Sequence, residues 1–483
     1  MGHMDIREEA GRCLLCADAP CSKACGQGDP ARAIRAIRFD NTTLASRCVA
    51  GCTPEDLEAA EKACIHYDRP IRIREMLSGL PAAADRKMPD LGIEFCGIRC
   101  ENPFFLASSA VCTNYDMVAR AFDAGWAGVF YKTICLQEIR EVSPRFDAVG
   151  EGRKGDFAGF RNMEQLSENP ADVDFDILHR LKQNYPTKIV VASIMGQEEE
   201  DWINLAKMAE KAGVDAIELN FSCPQMRLAG MGSDVGQNPE LVTFYTAYVK
   251  RTVKIPVIAK MTPNITTMNQ PAMGAYFAGA DGISAINTIK SLTMNERGSV
   301  SDKKTISGYS GRAVKPIAQR FILEMASNPL MKTVHLSGIG GIETWRDALE
   351  YIQLGCRNVQ VCTAVMQYGY RIVDDLVSGL QAYMAERGIL NLEELVGEQV
   401  PRFVRPTDLD RDTVVYPKID REVCIGCGRC YTSCMDGGHQ AIEFDLETRK
   451  PRMIGPKCVG CLLCSLVCPT GAIGITRRSA KRS

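Results

Sequence analysis

The sequence lacks a charge imbalance of either sign. Its 483 residues contain 57 Lys and Arg against 59 Asp and Glu, so the net charge is −2 at neutral pH. A chain without a basic excess has no general electrostatic attraction for nucleic acid or for an anionic membrane surface. We therefore expect neither partner. The proportions of hydrophobic residues (46%) and charged residues (24%) are typical of a soluble globular protein.

Long hydrophobic runs are also missing. The longest uncharged stretch, residues 458–475, contains four cysteines, Pro469 and several glycines, which favours a metal-binding loop over a membrane span. The opening MGHM has no apolar signal-peptide core and resembles a cloning remnant before Met4. We expect a cytoplasmic protein, in which 22 cysteines indicate metal ligation rather than disulfides.

The cysteines divide the chain into three parts. Residues 1–78 contain seven, the last 67 residues contain eight, and seven are scattered singly between them. Polar stretches with prolines at 80–90 and 400–420 are typical of linkers. The sequence thus predicts a small helical Cys-rich iron–sulfur domain over 1–80, a central domain over 90–395 and a ferredoxin-like domain over 417–483.

The last domain carries the spacing CxxCxxCxxxC twice. This pattern is typical of bacterial two-cluster ferredoxins, in which the fourth cysteine of each run ligates the other 4Fe–4S cluster. A structural zinc site does not require eight cysteines in this arrangement and is disfavoured. The predicted ligands of one cluster are Cys424, Cys427, Cys430 and Cys468, and those of the second are Cys458, Cys461, Cys464 and Cys434.

Seven further cysteines lie near the N-terminus: Cys13, Cys16, Cys21, Cys25, Cys48, Cys52 and Cys64. They suggest two more clusters, or one cluster with cysteines left over, and structural zinc is a further alternative. Their spacing alone does not decide between these possibilities.

The central part alternates short β-branched runs with amphipathic helical patterns. Eight strand–helix units over about 260 residues predict a (β/α)8 TIM barrel, whose active site lies at the C-terminal ends of the strands. The predicted strands are 103–109, 128–134, 188–195, 216–223, 256–263, 282–288, 333–341 and 358–365.

Polar side chains gather at these strand ends. One such residue is often only a loop cap, but capping poorly explains the whole set. The set is Ser108, Ser109, Lys132, Asn220, Ser222, Cys223, Lys260, Thr262, Asn287 and Thr288.

The ends of strands seven and eight are rich in glycine. Barrels commonly bind a phosphate here, and that phosphate could belong to flavin mononucleotide (FMN). A tight turn that needs glycine is the alternative. The residues concerned are Gly338, Gly340, Gly341 and Thr363.

A dinucleotide-binding fold is not predicted. The formal GxGxxG of Gly150, Gly152 and Gly155 follows a polar segment, and no helical pattern opens after it. A pyridine nucleotide would then be oxidised on another chain.

Taken together, these motifs resemble the dihydropyrimidine dehydrogenase family from residue 90 to about residue 475. The resemblance rests on NPFFLASS, GFRNMEQLSE, ELNFSCPQM, AKMTPNIT, SGIGGIET and the ferredoxin runs. It implies FMN-mediated reduction of uracil and thymine, with Cys223 as the general acid. The implied pyrimidine contacts are Asn162, Glu164, Asn220, Ser222, Asn287 and Thr288, and the implied FMN contacts are Ser108, Lys132, Lys260, Gly340, Gly341, Cys362 and Thr363.

The opening RCLLCADAPCSKAC resembles the cluster domain that the same family attaches to its NAD(P)- and FAD-binding portion. The match is lost after Cys52, so this chain has seven cysteines for the eight ligand positions of two clusters. Because the family has a precedent for a glutamine ligand, two clusters remain possible. The resemblance further implies an FAD-binding partner subunit that passes electrons from NAD(P)H through the clusters, within a homo- or hetero-oligomer.

Cys223 and the loop after it carry the implied chemistry. Saturating the 5,6 double bond needs a hydride at C6 and a proton at C5, and a thiol can give that proton while it stays protonated near neutral pH. The amides of Asn162, Asn220 and Asn287 match the alternating carbonyl and N–H edge of a pyrimidinedione. The glycine-rich loop 223–237 is expected to close over the substrate. Without the resemblance, a solitary cysteine is more often a small buried hydrophobe.

Two other functions remain open. A class-1 dihydroorotate dehydrogenase shares the FMN barrel and a cysteine after the fourth strand, but it normally lacks ferredoxin runs. An electron-transfer iron–sulfur protein with a vestigial barrel would not bind FMN.

Overall fold

The computed structural model describes residues 5–82, 86–149, 158–224, 226, 230–292, 294 and 305–481. The chain forms two compact units, one up to Val400 and one from Pro401 onward. The N-terminal Cys-rich segment and the central part belong to the same unit. Gly150, Gly152 and Gly155 of the formal GxGxxG lie outside the described residues. No helix in the described ranges is both long enough and apolar enough to cross a membrane.

The described residues of the N-terminal part form six short helices, where the sequence predicts a helical domain. They are α1 (Ile6–Gly11), α2 (Pro20–Ala24), α3 (Pro30–Arg38), α4 (Thr42–Cys48), α5 (Pro54–Lys62) and α6 (Ile73–Ser78). Four of them begin where a side chain accepts a hydrogen bond from a first-turn N–H group, which satisfies an otherwise unpaired donor. These N-caps are Asp5, Asp29, Asn41 and Thr53. The helices share a core that includes Ile34, Ile37 and Ile73.

The strands of the central part include a closed parallel barrel. They are β1 (Ile93–Phe95), β2 (Ile98–Cys100), β3 (Phe104–Leu106), β4 (Gly128–Phe130), β5 (Phe146–Val149), β6 (Gly159–Asn162), β7 (Ile189–Ile194), β8 (Ala216–Asn220), β9 (Val257–Lys260), β10 (Gly282–Ala285), β11 (Ile289–Ser291), β12 (Ser307–Ser310), β13 (His335–Ile339) and β14 (Cys356–Val361). The barrel runs through β3, β4, β7, β8, β9, β10, β13 and β14, which pairs with β3 to close it. The eight predicted strands are confirmed. Each has fewer residues than its predicted range, and several residues beyond the C-terminal ends of the strands, such as Lys132, Cys223 and Asn287, line the cavity described below.

Helices surround this barrel. They are α7 (Tyr115–Ala124), α8 (Ala171–Asn184), α9 (Glu199–Ala212), α10 (Ser233–Gly236), α11 (Pro239–Thr252), α12 (Asn269–Phe277), α13 (Lys315–Ala326), α14 (Trp345–Gln353), α15 (Thr363–Tyr368) and α16 (Ile372–Arg387). Gly213 ends α9 with a φ of 80°, a left-handed conformation that glycine adopts without steric cost. The apolar faces of the helices pack on the strands and form one continuous core.

A second sheet of four antiparallel strands was not predicted. Its order is β11, β12, β6 and β5, and we call it the cap sheet. In it, Asn162 pairs with Phe146 of β5 and with Gly308 of β12. The segments that form it lie between β4 and β7 and between β10 and β13, and each strand has only three or four residues. Runs this short give no clear two-residue periodicity in the sequence.

Ion pairs, one of them buried, attach the N-terminal helices to the barrel helices. Arg35 Nε lies 2.6 Å from Oδ2 of Asp375, whose side chain is 1% exposed. Arg32 and Arg35 also contact Asp374, at 2.8 and 2.9 Å. Burial raises the pKa of Asp375 to about 6, while Arg35 opposes that rise. The Asp375 carboxylate therefore depends on its cationic partner to remain charged at neutral pH.

Replacing Arg35 with alanine is expected to lower the free energy of unfolding by about 3 kcal/mol, because removing one partner of a buried pair leaves the other uncompensated. Urea unfolding followed by tryptophan fluorescence suits this measurement, since the indole N–H of Trp345 donates to the carbonyl of Asp40 across the same interface at 2.8 Å. Arg405→Ala is the control because its pair with Asp408 is exposed. Equal unfolding midpoints for the two variants would contradict a stabilising role for the Arg35 pair.

The C-terminal unit contains short hairpin-like pairings and two short helices in its described residues. These elements are β15 (Thr413–Val414), β16 (Pro417–Ile419), α17 (Arg429–Gly437), β17 (Ile442–Asp445), β18 (Lys450–Met453), α18 (Leu463–Leu466), β19 (Ile473–Ile475) and β20 (Ser479–Ala480). β16 pairs with β19 and β15 with β20, so the two ends of the unit are joined. The second half of the segment predicted as a linker, 400–420, is therefore part of this unit's own structure.

Candidate functional site

A wide cavity opens at the C-terminal ends of the barrel strands, with about 1050 Å³ of empty space that includes the open solvent at its mouth. Its wall contains these predicted site residues: Ser108, Lys132, Asn162, Glu164, Asn220, Cys223, Lys260, Asn287, Thr288, Gly340, Gly341, Cys362 and Thr363. Ser222 lies behind the wall, where it is fully buried and hydrogen-bonds to two of them. Residues far apart in the sequence thus meet at one end of the barrel.

The turn after β13 allows a ligand to approach the backbone closely. Gly340 and Gly341 have φ values of 128° and 72°, which glycine tolerates and other residues rarely adopt. A Cβ on Gly341 would also lie 2.8 Å from the Cβ of Lys315. Thr363, at the start of α15, shares a hydrogen bond with the hydroxyl of Ser310 at 3.0 Å. This end of the cavity is suited to a phosphate bound by backbone N–H groups and hydroxyls.

Gln360 provides an independent test of whether a flavin fits the cavity. Its side chain lies in the cavity wall, is 1% exposed, and donates from Nε2 to the hydroxyl of Ser337 at 2.8 Å. Its buried Oε1 has no hydrogen-bond partner within the part of the chain that the structure describes. A bound heterocycle with an N–H group would satisfy this acceptor. The residues present therefore fit FMN.

Both cavity lysines are buried and ion-paired. Lys132 Nζ donates to Glu164 at 2.8 Å, and Arg145 contacts the other oxygen of Glu164 at 3.2 Å. Lys260 Nζ lies 3.4 Å from Glu218, which is fully buried. Glu164, which the resemblance assigns to pyrimidine binding, is thus held between two cations. Each carboxylate oxygen can accept more than one hydrogen bond, so a substrate N–H remains within the capacity of Glu164.

The amide side chains near the cavity floor are fixed by a hydrogen-bond network. Asn220 Oδ1 accepts from both the N–H and the hydroxyl of Ser222, at 3.1 and 2.7 Å. Asn220 Nδ2 donates to Thr133, and Asn287 Nδ2 donates to Ser222, each at 2.9 Å. Ser222 therefore acts as the link between two predicted pyrimidine-binding amides. A network of this kind orients them before a ligand binds.

Cys223 follows the end of β8 and lies in the cavity wall with 6% of its surface exposed. Its carbonyl accepts a hydrogen bond from the N–H of Ser233 at 2.9 Å, so the loop returns to the backbone beside the thiol. Gly232 makes that return possible, because its φ is 57° and a Cβ there would lie 2.4 Å from the Cys223 carbonyl oxygen. Residues 225 and 227–229 of the loop predicted to close lie outside the described ranges.

Sequence reasoning missed the aromatic wall that the cap sheet contributes. Phe146, Phe160 and Tyr309 line the cavity, and the first two rings pack with centroids 5.2 Å apart. Flat apolar side chains suit a planar heterocycle. The sequence contained one signal for this wall, because Phe160 lies two residues before Asn162 in the motif GFRN. Tyr309 could not be found in this way, since it reaches the wall only through the pairing of strand 307–310 with β6.

One set of the ferredoxin cysteines surrounds a cavity of its own. Cys424, Cys427, Cys430 and Cys468 line one cavity of about 350 Å³, and this is the ligand set predicted for the first cluster. In the other predicted set, Cys434, Cys458 and Cys464 pack in the same apolar cluster as Cys430 and Cys468, and Cys461 is exposed, as Cys427 is in the first set. Within the described ranges, no three His, Cys, Asp or Glu side chains are arranged to hold a single metal ion. The thiols surround a space rather than converge on a point.

The N-terminal cysteines separate into two groups. The first group lines a cavity of about 380 Å³ and consists of Cys13, Cys16, Cys21 and Cys64. In the second, the sulfurs of Cys25 and Cys52 lie 3.5 Å apart, and Cys48 packs against the same core. The first group is suited to a cubane cluster, whereas the second offers three thiols.

Comparisons with known proteins match the same regions. The dihydroorotate dehydrogenase family model matches residues 90–384, and a 4Fe–4S dicluster domain model matches residues 417–475. Neither model covers the first 89 residues.

The matched region covers most of the length of three relatives. The NAD-dependent dihydropyrimidine dehydrogenase subunit PreA of Escherichia coli K12 is 53% identical over 390 residues, which are 80% of this chain and 95% of the relative. The chloroplastic NADP(+) dihydropyrimidine dehydrogenase of Arabidopsis thaliana is 38% identical over 68% of this chain and 81% of its own. The catalytic subunit of dihydroorotate dehydrogenase B of Pyrococcus furiosus is 34% identical over 63% of this chain and 97% of its own.

Proposed function

The chain belongs to the dihydropyrimidine dehydrogenase family, which is built on the dihydroorotate dehydrogenase barrel, and from this membership we propose that it reduces the 5,6 double bond of uracil and thymine. The observation that carries the proposal is the cavity in which a thiol, three amides and two paired lysines meet a glycine turn suited to a phosphate. The barrel and the ferredoxin unit make the chain an FMN and iron–sulfur oxidoreductase.

The direct test is an anaerobic assay of the photoreduced enzyme with uracil. We expect at least one dihydrouracil per reduced flavin, measured by chromatography. Enzyme that contains FMN but forms no dihydrouracil or dihydrothymine would overturn the proposal.

Cys223 is placed to supply the proton. When bound, FMN supplies the hydride that reduces C6 of the pyrimidine. The thiol of Cys223, in the cavity wall after β8, donates its proton to C5 and so completes saturation of the double bond. The hydrogen bond from Ser233 to the Cys223 carbonyl holds the backbone beside this thiol.

The amide network is proposed to recognise the pyrimidine edge. Asn162 lies in the cap sheet, while Asn220 and Asn287 lie at strand ends, so the amides face the cavity from different elements. Each primary amide both donates and accepts, which matches a ring whose edge alternates carbonyl and N–H groups. Thr288 is proposed as a further contact, and Ser222, which lies behind the cavity wall, supports the set by bonding to Asn220 and Asn287.

Lys132 and Lys260 are proposed to balance negative charge on the bound ring system. Each is buried and already paired with a glutamate, so its position is fixed before any ligand arrives. Fixed positive charge in a site of low polarity stabilises developing negative charge without reorganisation.

Dihydroorotate oxidation is the second candidate activity, because the barrel model and the Pyrococcus relative carry that name. Dihydroorotate has a carboxylate that dihydrouracil lacks, and it would need a cation in the cavity. The basic residues of the cavity wall are Lys132, Lys260 and Arg312, and each lies within 4.0 Å of a glutamate. Turnover of dihydroorotate without turnover of dihydrouracil would favour this second activity.

Electrons are proposed to come from a partner. The Escherichia coli relative is named as a subunit of an NAD-dependent enzyme, and the family models on this chain are those of the barrel and the dicluster domain. We infer an FAD-binding subunit that oxidises NAD(P)H and passes electrons singly through the clusters, in a cytoplasmic hetero-oligomer where thiols stay reduced. Robust NADH oxidation by this chain alone would contradict the need for that subunit.

The N-terminal cavity is proposed to hold one further 4Fe–4S cluster, bound by Cys13, Cys16, Cys21 and Cys64. Anaerobically purified protein is then expected to contain about 12 iron atoms per chain, from three clusters of four. Cys64→Ala should reduce the count by about four, whereas Cys25→Ala should leave it unchanged. An iron content of about eight would show that the N-terminal cavity holds no cluster. A content of about 16 would indicate a further cluster at Cys25, Cys48 and Cys52.

A further inference from the structure

The loop that carries the first two N-terminal cysteines is held by an arginine of the barrel. Arg371 precedes α16, and its guanidinium donates to the carbonyls of Leu15 and Cys16, at 2.6 and 3.3 Å. Its Nε donates to the carbonyl of Tyr368, the last residue of α15. One side chain therefore connects the cysteine loop with the helix that begins at the FMN cavity.

A second arginine holds the same loop from the N-terminal side. Arg38 donates to the carbonyls of Gly11 and Cys13, at 3.2 and 3.1 Å, and its guanidinium lies over the ring of Tyr368, 5.1 Å from the centroid. The loop that carries Cys13 and Cys16, the cysteine loop, is thus hydrogen-bonded by two guanidinium groups, and both of these also contact Tyr368.

These two arginines differ from the others at the interface. Arg32 and Arg35 are neutralised by Asp374 and Asp375. Arg38 and Arg371 donate instead to carbonyl oxygens, and among the ion pairs of the described residues neither has a carboxylate partner. Their positive charge is therefore directed to the cysteine loop. Arginine does not lose that charge at any pH at which the protein is folded.

A positive charge near an iron–sulfur cluster affects the reduction potential of that cluster. Reduction adds one negative charge to the cluster, so a nearby cation stabilises the reduced form more than the oxidised form. The net charge around a cluster, and its hydrogen bonding and exposure, are the features that set its reduction potential. The cavity formed by Cys13, Cys16, Cys21 and Cys64 is bordered by the cysteine loop.

We propose that Arg371 is a positioning residue through which the barrel raises the reduction potential of the N-terminal cluster. The inference rests on the proposed N-terminal cluster. It assigns a redox role to a contact between the N-terminal helices and the barrel, apart from the stability that Arg35 and Asp375 provide.

The test is an anaerobic redox titration of the full-length protein, followed by electron paramagnetic resonance. Arg371→Gln keeps hydrogen-bond donors but removes the charge. It is expected to lower the midpoint potential of one cluster by about 59 mV, a tenfold change in its one-electron reduction equilibrium, and to leave the other midpoints unchanged. Arg371→Lys keeps the charge and should restore most of the shift. Arg387→Gln, in the last turn of α16 over the ring of Tyr383, is the matched control and should shift nothing.

The other outcomes are also informative. Unchanged midpoints in Arg371→Gln, with a full iron content, would overturn the proposal. Loss of about four iron atoms in both Arg371 variants would overturn it as well, because the arginine would then only hold the loop. If the wild-type protein contains only about eight iron atoms, the N-terminal cluster on which the inference rests is absent. Uracil reduction by the same photoreduced enzyme would still support the proposed activity.

Discussion

Cys223→Ala is expected to lower the rate of uracil reduction by about 100-fold to 10,000-fold, the usual contribution of a positioned general acid. The variant removes the proton donor but leaves the buried network of Asn220, Ser222 and Asn287 in place. The Michaelis constant for uracil should therefore change little while kcat falls. The measurement is steady-state dihydrouracil formation with an artificial electron donor, so that the partner subunit is not limiting.

Two further variants make this result specific. Cys223→Ser should remain slow, because a hydroxyl is a much weaker acid than a thiol. Cys356→Ala is the matched control, since Cys356 is a fully buried cysteine at the first residue of β14, away from the cavity wall. Full activity in Cys223→Ala would remove the acid assignment, and an equal loss in Cys356→Ala would attribute the effect to core packing.

Cys468→Ala is expected to abolish uracil reduction driven by NAD(P)H through the partner subunit. Cys468 lines the same cavity as Cys424, Cys427 and Cys430, so its loss should remove one cluster, about four iron atoms per chain. Photoreduction bypasses the clusters, and the photoreduced variant should still convert one equivalent of uracil. Iron analysis and the two assays together separate electron delivery from the chemistry in the barrel.

The matched comparison for this variant lies within the same unit. Cys424→Ala belongs to the same predicted ligand set and should give the same paramagnetic spectrum, whereas Cys461→Ala belongs to the other set and should give a different one. A Cys468→Ala spectrum that matches Cys461→Ala would show that the fourth cysteines do not cross between clusters.

Much of the architecture is visible in the sequence because it rests on short-range patterns. β-branched runs such as KIVVASIM and AIELNFSC have the length and composition of buried parallel strands, and each became a barrel strand. Barrel geometry then requires polar residues that follow such strands to meet at one end, and Lys132, Asn220 and Asn287 do. The dicluster domain could be predicted as well, because it depends on cysteine spacing.

The rest depends on contacts between distant segments. In the cap sheet, residues 159–162 pair with residues 307–310. No local pattern in either segment predicts this pairing. The family resemblance assigned Glu164 to the site, but its pairing with Arg145 follows from the cap sheet and could not be predicted. Likewise, RCLLCADAPCSKAC indicated a cluster without indicating that Arg371, more than 350 residues later, would hold its backbone.

The proton transfer from Cys223 is the central claim, and a single turnover tests it most directly. Photoreduced wild-type enzyme and photoreduced Cys223→Ala are each mixed with excess uracil without oxygen, and the absorbance of the bound flavin is followed. We predict that uracil binds both with similar affinity, that the wild-type flavin is reoxidised as dihydrouracil forms, and that the variant flavin stays reduced. Reoxidation of the variant at the wild-type rate would contradict the account.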